Sequence, residues 1–334
     1  MPRRRQSAGT TATGVVVIGR NEGERLRRCL ESLRPMSTRM VYVDSGSADA
    51  SVALSRNMEV VTVELDRATH FTAARARNAG YDALLAAHPL LRYVFFVDGD
   101  CEVVPGWIET AVDFLERNAK VAVVWGRRRE RYPEKSVYNM LCDLQWADYP
   151  FGETKACGGD AVIRVAAFEQ VRGYRADLIC GEEPELCVRL RQHGWRIWRL
   201  NHDMTLHDAA LYRFGQWWTR SRRAGYAYVQ GVYLHGAAPE QHFLAESRRA
   251  WIWGLLIPLV TVLLALTVSA WAALLLVAYP LSVVRLAVQG RRSRRENWWR
   301  AGTLVLGKFP EMLGQVGFLR DRVRNAPSRL IEYK

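Results

Sequence analysis

The six cysteines of this 334-residue chain, Cys29, Cys101, Cys142, Cys157, Cys180 and Cys187, form no CxxC pair and stand in no zinc-holding spacing with histidines. Neither a zinc site nor a disulfide framework is expected, and a reducing compartment fits this cysteine usage. No GxGxxG or GxxxxGK[ST] follows the first apolar strand, which argues against a Rossmann dinucleotide site and against a P-loop. The opening Met-Pro-Arg-Arg-Arg is not followed by an apolar stretch with a small-residue cleavage site, so residues 1–12 are expected to form a disordered lead and not a signal peptide. There is no internal repeat, and no RNP-like or helix-turn-helix signature.

What is plentiful is apolar and basic. Hydrophobic residues make up 49% of the chain, and the formal net charge is +13. Charge of this size suits nucleic acid, an anionic membrane surface or phosphorylated ligands, and does not choose among them. Its distribution does choose, because much of it flanks one apolar segment. Ala250 to Val284 carries no charged residue. At ~1.5 Å per helical residue that segment would extend roughly 50 Å, against ~30 Å of hydrocarbon, so two short spans fit better than one. Arg248 and Arg249 precede it, and Arg285, Arg291, Arg292, Arg294 and Arg295 follow it. Basic flanks on both sides put both ends in the cytosol. A hairpin turning near Thr267 to Ala270 is therefore expected, although Pro258 and Pro280 fall inside its helices. From Trp298 to Val323 the pattern predicts an interfacial helix, with Trp298, Trp299, Phe309 and Phe318 at the headgroups and Arg320, Arg322 and Arg324 facing anionic lipid.

Between Gly14 and about Leu200, short β-branched runs alternate with helical patterns, as in an open, mostly parallel sheet covered by helices. Strands are predicted at Val15–Ile18, Val41–Val43, Val60–Val63 and Tyr93–Val97, with helices at Glu24–Leu33 and Thr72–Leu85. Ligands of such sheets collect beyond the carboxyl ends of the strands. The polar residues Arg20 to Glu22, Asp44, and Asp98 with Asp100 occur at those ends. Two carboxylates separated by glycine suit a hard divalent cation, although aspartates after a strand often only shape a turn.

Several segments, in order, resemble family 2 glycosyltransferases of the GT-A fold. They are Val15 to Leu33, Val41 to Ser51, Ala76-Arg77-Asn78-Ala79-Gly80, Val97 to Val104, Gly158-Gly159-Asp160-Ala161, and Gly181 to Leu186 with Arg189-Leu190 and Gly194-Trp195. The resemblance covers roughly residues 13 to 210. It implies an α/β GT-A nucleotide-diphospho-sugar transferase fold, to which the apolar hairpin and an amphipathic helix are appended. It assigns Arg20, Glu22 and Asp44 to the nucleoside, Arg77 to the donor's charged end, and Asp98 and Asp100 to donor and metal, with Mg²⁺ or Mn²⁺ as cofactor. His207, after the acidic segment, is implied as a further metal ligand. Glu183 takes the place of the catalytic base, where the family usually has Asp, and the longer side chain leaves Glu182 or Glu185 open as alternatives. Gly158, Gly159, Asp160 and Glu182 fall on the acceptor side.

Phe214 to Arg220 is similar to the product-holding Gln-Arg-Trp element of processive members, but its spacing departs from it, so processivity is not inferred. Trp217, Trp218 and Arg220 are expected either at a membrane-facing mouth on the acceptor side or in helix packing. The expected organisation is a lead at 1–12, a GT-A domain at 13–245, a transmembrane hairpin at 246–290 and an amphipathic segment at 291–334. The expected function is inverting transfer from a UDP- or GDP-linked sugar to a lipid-linked or polysaccharide acceptor, at the inner membrane with the catalytic domain cytoplasmic and with no nucleic-acid partner. Two alternatives stand beside it: a nucleotidyltransferase of related fold, and a nonenzymatic basic protein that binds membrane or nucleic acid.

Overall fold

The computed structural model describes residues 12–66 and 68–325. The expected lead up to residue 11 and the Tyr333-Lys334 terminus lie outside the described residues. The chain divides into two compact units, one of residues up to Tyr132 with Cys142–Ala209, the other of Pro133–Leu141 with the residues from Ala210 onward.

In the first unit the order begins β1 (Thr13–Gly19), α1 (Glu24–Leu33), β2 (Met40–Asp44), α2 (Ser51–Asn57), β3 (Val61–Glu64), α3 (Ala73–Ala87), β4 (Tyr93–Asp98) and β5 (Cys101–Val103). It continues α4 (Trp107–Arg117), β6 (Val121–Glu130), α5 (Val137–Ala147, whose first residues belong to the second unit), β7 (Gly152–Thr154), β8 (Ala161–Arg164), α6 (Val165–Gln170), α7 (Glu182–Gln192) and β9 (Arg196–His207). The predicted elements recur with small changes at their ends because their signals are local. In α1, Leu26, Cys29, Leu30 and Leu33 repeat at helical spacing, and they are the residues the helix buries. Thr72 caps α3 by accepting from the Arg75 N–H at 3.1 Å.

The strands form one sheet in the order β3-β2-β1-β4-β8-β6-β9-β5, with β7 paired to β9. The sheet is parallel across β3, β2, β1 and β4 and again between β6 and β9. The expected mostly parallel sheet is present, with short antiparallel additions: β8 runs antiparallel to both β4 and β6, and β5 and β7 run antiparallel to β9. These three strands have only 3 or 4 residues, too few to carry a readable period. β1 and β4 lie inside the sheet, and Val15–Val17 and Tyr93–Val97 are almost wholly buried.

The second unit contains α8 (Phe214–His235), α9 (Leu244–Trp251), a π-helical stretch Ile252–Leu256, α10 (Ile257–Thr267), a 3₁₀ stretch Ala270–Val277, α11 (Ala278–Gln289), α12 (Arg294–Leu306) and α13 (Lys308–Val323). Leu244–Thr267 and Ala270–Gln289, with 24 and 20 residues, are candidate membrane spans. Many of their aliphatic residues are exposed, among them Leu255, Leu259, Leu263 and Leu266 along one stripe of the first span and Leu274 and Leu281 in the second. The helix breaks at Val268 and Ser269, within the turn the sequence indicates, and the Ser269 hydroxyl accepts from the Trp271 N–H. Pro258 comes just after the π-helical stretch and Pro280 just after the 3₁₀ stretch, where the regular i→i−4 ladder is already interrupted and a missing N–H is accommodated. The two limbs meet at Tyr279, whose hydroxyl donates to the Trp253 carbonyl.

The expected interfacial helix is instead two, α12 and α13, separated at Gly307. Trp298 and Trp299 are exposed, but Phe318 is buried against Tyr226 and Tyr233 of α8, which corrects its expected place at the headgroups. α13 crosses α8 at near backbone contact. A Cβ on Gly225 would fall 1.9 Å from the Glu311 carbonyl oxygen, and one on Gly314 would fall 2.0 Å from that of Arg222. A buried Ser247–Gln315 hydrogen bond of 2.6 Å ties α9 to α13.

Candidate active site

β4 ends in Asp98, and the chain then reverses into β5, whose Cys101 pairs with His207 of β9. β9 also pairs with β6, where Glu130 lies opposite His207. The sheet register therefore brings Asp100, His207 and Glu130 together. The Nε2 of His207 lies 3.3 Å from Asp100 Oδ1, and its Nδ1 lies 3.7 Å from Glu130 Oε2. Glu130 is itself fixed by the N–H groups of Tyr132 and Ala209, each at 3.1 Å. At 3.7 Å Glu130 is a charge close to Nδ1 and beyond hydrogen-bond distance, while Nε2 is turned toward Asp100.

Asp100, Cys101 and His207 have ligand atoms within 4.8 Å of one another. Burial first, then the carboxylate of Asp160, push the Cys101 thiol well above its ordinary pKa, and a soft sulfur ligand is in any case ill suited to a hard cation such as Mg²⁺ or Mn²⁺. Asp100 and His207 remain, an oxygen and nitrogen pair whose spacing fits one divalent ion.

Asp98 is differently engaged. Its Oδ1 takes Arg77 Nη2 at 2.9 Å and its Oδ2 takes Arg128 Nη2 at 3.3 Å. Burial opposes its charge, but Arg77 and Arg128 outweigh that and lower its pKa. Beneath it, Asp160 is fully buried, bound to Arg128 at 2.7 Å, to the Thr205 hydroxyl at 2.7 Å and to the Asp98 N–H at 3.1 Å. Asp160 thus underpins the Asp98 turn from inside the unit.

Arg77 on α3 is buried and binds three carboxylates: Glu182 at 2.7 Å, Asp98 at 2.9 Å and Glu183 at 3.1 Å. Burial disfavours its charge, but Glu183, Asp98 and Glu182 together raise its pKa further. The acids Glu182, Glu183 and Glu185 fill the first turn of α7. Glu185 is forked by the Arg189 guanidinium at 2.7–3.0 Å. Glu183 differs: burial, then the neighbouring Glu182, raise its pKa to about 7, with Arg77 opposing. The carboxyl is thus poised to exchange a proton near neutrality. A Cβ on Gly159 would come within 2.8 Å of both Arg77 and Asp98 and 3.2 Å of Glu183, so only glycine leaves this cluster open. Around Gly158 there is open space.

The remaining expected residues have these places. Arg20 follows β1, with its guanidinium 5.6 Å from the Phe71 ring, and Glu22 pairs with Arg25 at 2.8 Å. The Asp44 carboxylate accepts from the N–H groups of Gly46 and Ser47 and from the hydroxyls of Ser47 and Tyr42, and so shapes the turn after β2. Trp217, Trp218 and Arg220 are on α8 in the second unit. Trp217 is buried there against Tyr138, Phe214 and Trp218, and Gln216 accepts from the Tyr212 and Arg213 N–H groups as a helix cap. Arg128 and Glu130 escaped the sequence reading, since both lie in a charged run, Arg127 to Arg131, that resembles a solvated edge.

With this geometry in view, the comparisons are specific. Residues 14–172 match the family model for glycosyl transferase family 2. Two curated relatives are the Arabidopsis thaliana probable glucomannan 4-beta-mannosyltransferase 10, 28% identical over 37% of this chain and 24% of its own, and the Rhizobium meliloti succinoglycan biosynthesis protein ExoA, 23% identical over 57% of this chain and 61% of its own. The chain thus spans less than two thirds of the length of either relative. Among solved structures, the mannosyltransferase PcManGT from Pyrobaculum calidifontis, in complex with GDP-Man and Mn²⁺, superposes with a TM-score of 0.63 at 18% identity, covering 93% of this chain and 88% of the other. That likeness establishes the GT-A fold.

Proposed function

We propose, from the premise that residues 14–172 are a family 2 glycosyltransferase domain, that the chain transfers a sugar from a nucleoside-diphosphate donor to a hydroxyl of a membrane-associated saccharide. The observation that carries this reading is the convergence of Asp100 with His207, and of Arg77 with Asp98 and Glu183, beyond the carboxyl end of β4. Asp100 and His207 would hold Mn²⁺ or Mg²⁺, which when bound neutralises the charge of the departing diphosphate. PcManGT, in complex with GDP-Man and Mn²⁺, supports a GDP-linked donor, and a UDP-linked donor is the alternative.

Glu183 is the base. It takes the proton of the acceptor hydroxyl while that oxygen attacks the anomeric carbon from the face opposite the diphosphate, so the configuration inverts. Arg77 holds Glu183 and Asp98 in one frame, and its charge keeps both carboxylates oriented. Arg20, Glu22 and the turn shaped by Asp44 frame the nucleoside, and Gly158 and Gly159 leave room for the acceptor. The two apolar helices, together with a relative named for succinoglycan biosynthesis, support a lipid-linked or polysaccharide acceptor at the inner membrane, with this domain on the cytoplasmic side.

Purified protein incubated with a panel of sugar nucleotides tests the reading. Release of nucleoside diphosphate from one donor, dependent on added Mn²⁺ or Mg²⁺, is expected. Release that ignores the metal, or no release from any donor, would refute it.

A further inference from the structure

Next to this site, three aromatic residues have no part in the transfer scheme. Trp146, at the end of α5, sets its ring edge-on to His207 at 4.9 Å and lies under the Arg128 guanidinium at 5.6 Å. The loop from Trp146 to β7 then presents Tyr149 and Phe151, each 45% exposed. An exposed loop would ordinarily be mobile, but this one is braced from inside. Arg199 of β9, 1% exposed, has its guanidinium 4.9 Å from the Trp125 ring and 4.7 Å from the Phe151 ring. The same guanidinium donates to the carbonyls of Trp146, at 2.9 Å, and of Tyr149. Trp125 meets Tyr149 edge-on at 5.4 Å. Burying a cation is costly, and here it is spent on the backbone of one surface loop. The result is a braced loop that carries the exposed Tyr149 and Phe151 and the half-buried Trp146, and ordering these side chains in advance lowers the entropy cost of binding.

We propose that Trp146, Tyr149 and Phe151 form a platform for a neutral acceptor saccharide, leading outward from the Asp100–His207 pair. The proposal rests on the glycosyltransferase reading of the site. Aromatic faces carry negative charge density that attracts the C–H face of a pyranose ring. The rim supplies partners for the hydroxyls. Arg127 lies 5.6 Å from the Phe151 ring, donates to Asn201 at 2.7 Å and pairs with Asp203 at 3.5 Å. Rings with such a polar border suit a sugar, apolar on its faces and hydroxylated at its edge, better than an acyl chain. Continuity with His207 places the end of the saccharide at the reacting centre.

The test uses the full chain in detergent, with neutral β-linked gluco- and manno-oligosaccharides of two to six units, followed by saturation-transfer NMR. Tyr149→Ala and Phe151→Ala change half-exposed side chains, and Tyr149→Leu keeps apolar packing on Trp125 without an aromatic face. Binding to wild type that tightens with chain length is expected. Each variant should weaken it by at least ~10-fold, with unchanged thermal melting and unchanged Mn²⁺-dependent nucleoside diphosphate affinity. Equal saccharide binding in wild type and variants overturns the platform, as does absence of binding to any of the oligosaccharides, or loss in the variants of binding to neutral lipid vesicles alone. Saccharide binding that depends on Tyr149 and Phe151, without any metal-dependent nucleotide binding, would support the platform and refute the donor site.

Discussion

Glu183 and Glu185 stand two residues apart in the same turn of α7, yet their surroundings give them different chemistry. Arg189 holds Glu185 in a fork, whereas Glu183 is half-buried beside Glu182, with a pKa raised to about 7. A base must be ionised, so kcat/KM is expected to rise with pH through about 7. Glu183→Gln should remove that limb and lower transfer by ~10²-fold or more while donor affinity holds, as steady-state kinetics and calorimetry would show. Because the folded-state pKa lies above the usual 4.5, stability should also fall as pH rises from that value to about 7, and Glu183→Gln should flatten the fall in denaturant titrations. Arg128 shows what one sequence does not reveal. It looks like its neighbours Arg127 and Arg129, but β6 shifts register between Arg127 and Arg128, and Arg128 is directed onto Asp160 and Asp98. Arg128→Met leaves Asp160 buried without its cation and should cost ~3–5 kcal/mol in urea melts. Arg129→Met, at a half-exposed side chain, should cost less than ~1 kcal/mol.

At the scale of elements, legibility followed locality. α1 and β4 were readable because a helix stripe and an apolar run are complete within their own residues. The meeting of Asp100 with His207 depends on β5 and β9 pairing across more than a hundred residues, which no local pattern encodes. The resemblance suggested His207, and the register supplies the reason. β8 was missed because four residues show no period, and its antiparallel course is what slots Asp160 between β4 and β6. In the second unit, α13 read as an interfacial helix because its aromatic and basic residues suggested a lipid surface, whereas Pro310, Gly314 and Phe318 repeat every four residues and form its buried stripe. Gly225 and Gly314 permit the α8–α13 crossing, so Gly314→Leu should destabilise this unit by ~1–3 kcal/mol or more, seen as a lower melting temperature in detergent.

In the whole molecule, the segment 14–172, which matches the glycosyl transferase family 2 model, is followed by a pair of apolar helices flanked by arginines. Fusing a reporter after Lys334 should place it on the same side as one fused ahead of the catalytic domain, because a hairpin returns the chain to its starting face. Opposite sides would mean a single crossing. The central claim is that Asp100 and His207 make nucleotide binding depend on a divalent cation, and calorimetry of GDP and UDP binding with and without Mn²⁺ tests it most directly. Mn²⁺ is expected to strengthen binding of one nucleotide by ~10-fold or more in wild type, and Asp100→Ala and His207→Ala to abolish the gain while the fold melts as before. Equal affinity with and without Mn²⁺ in wild type, or an undiminished gain in both variants, would contradict it.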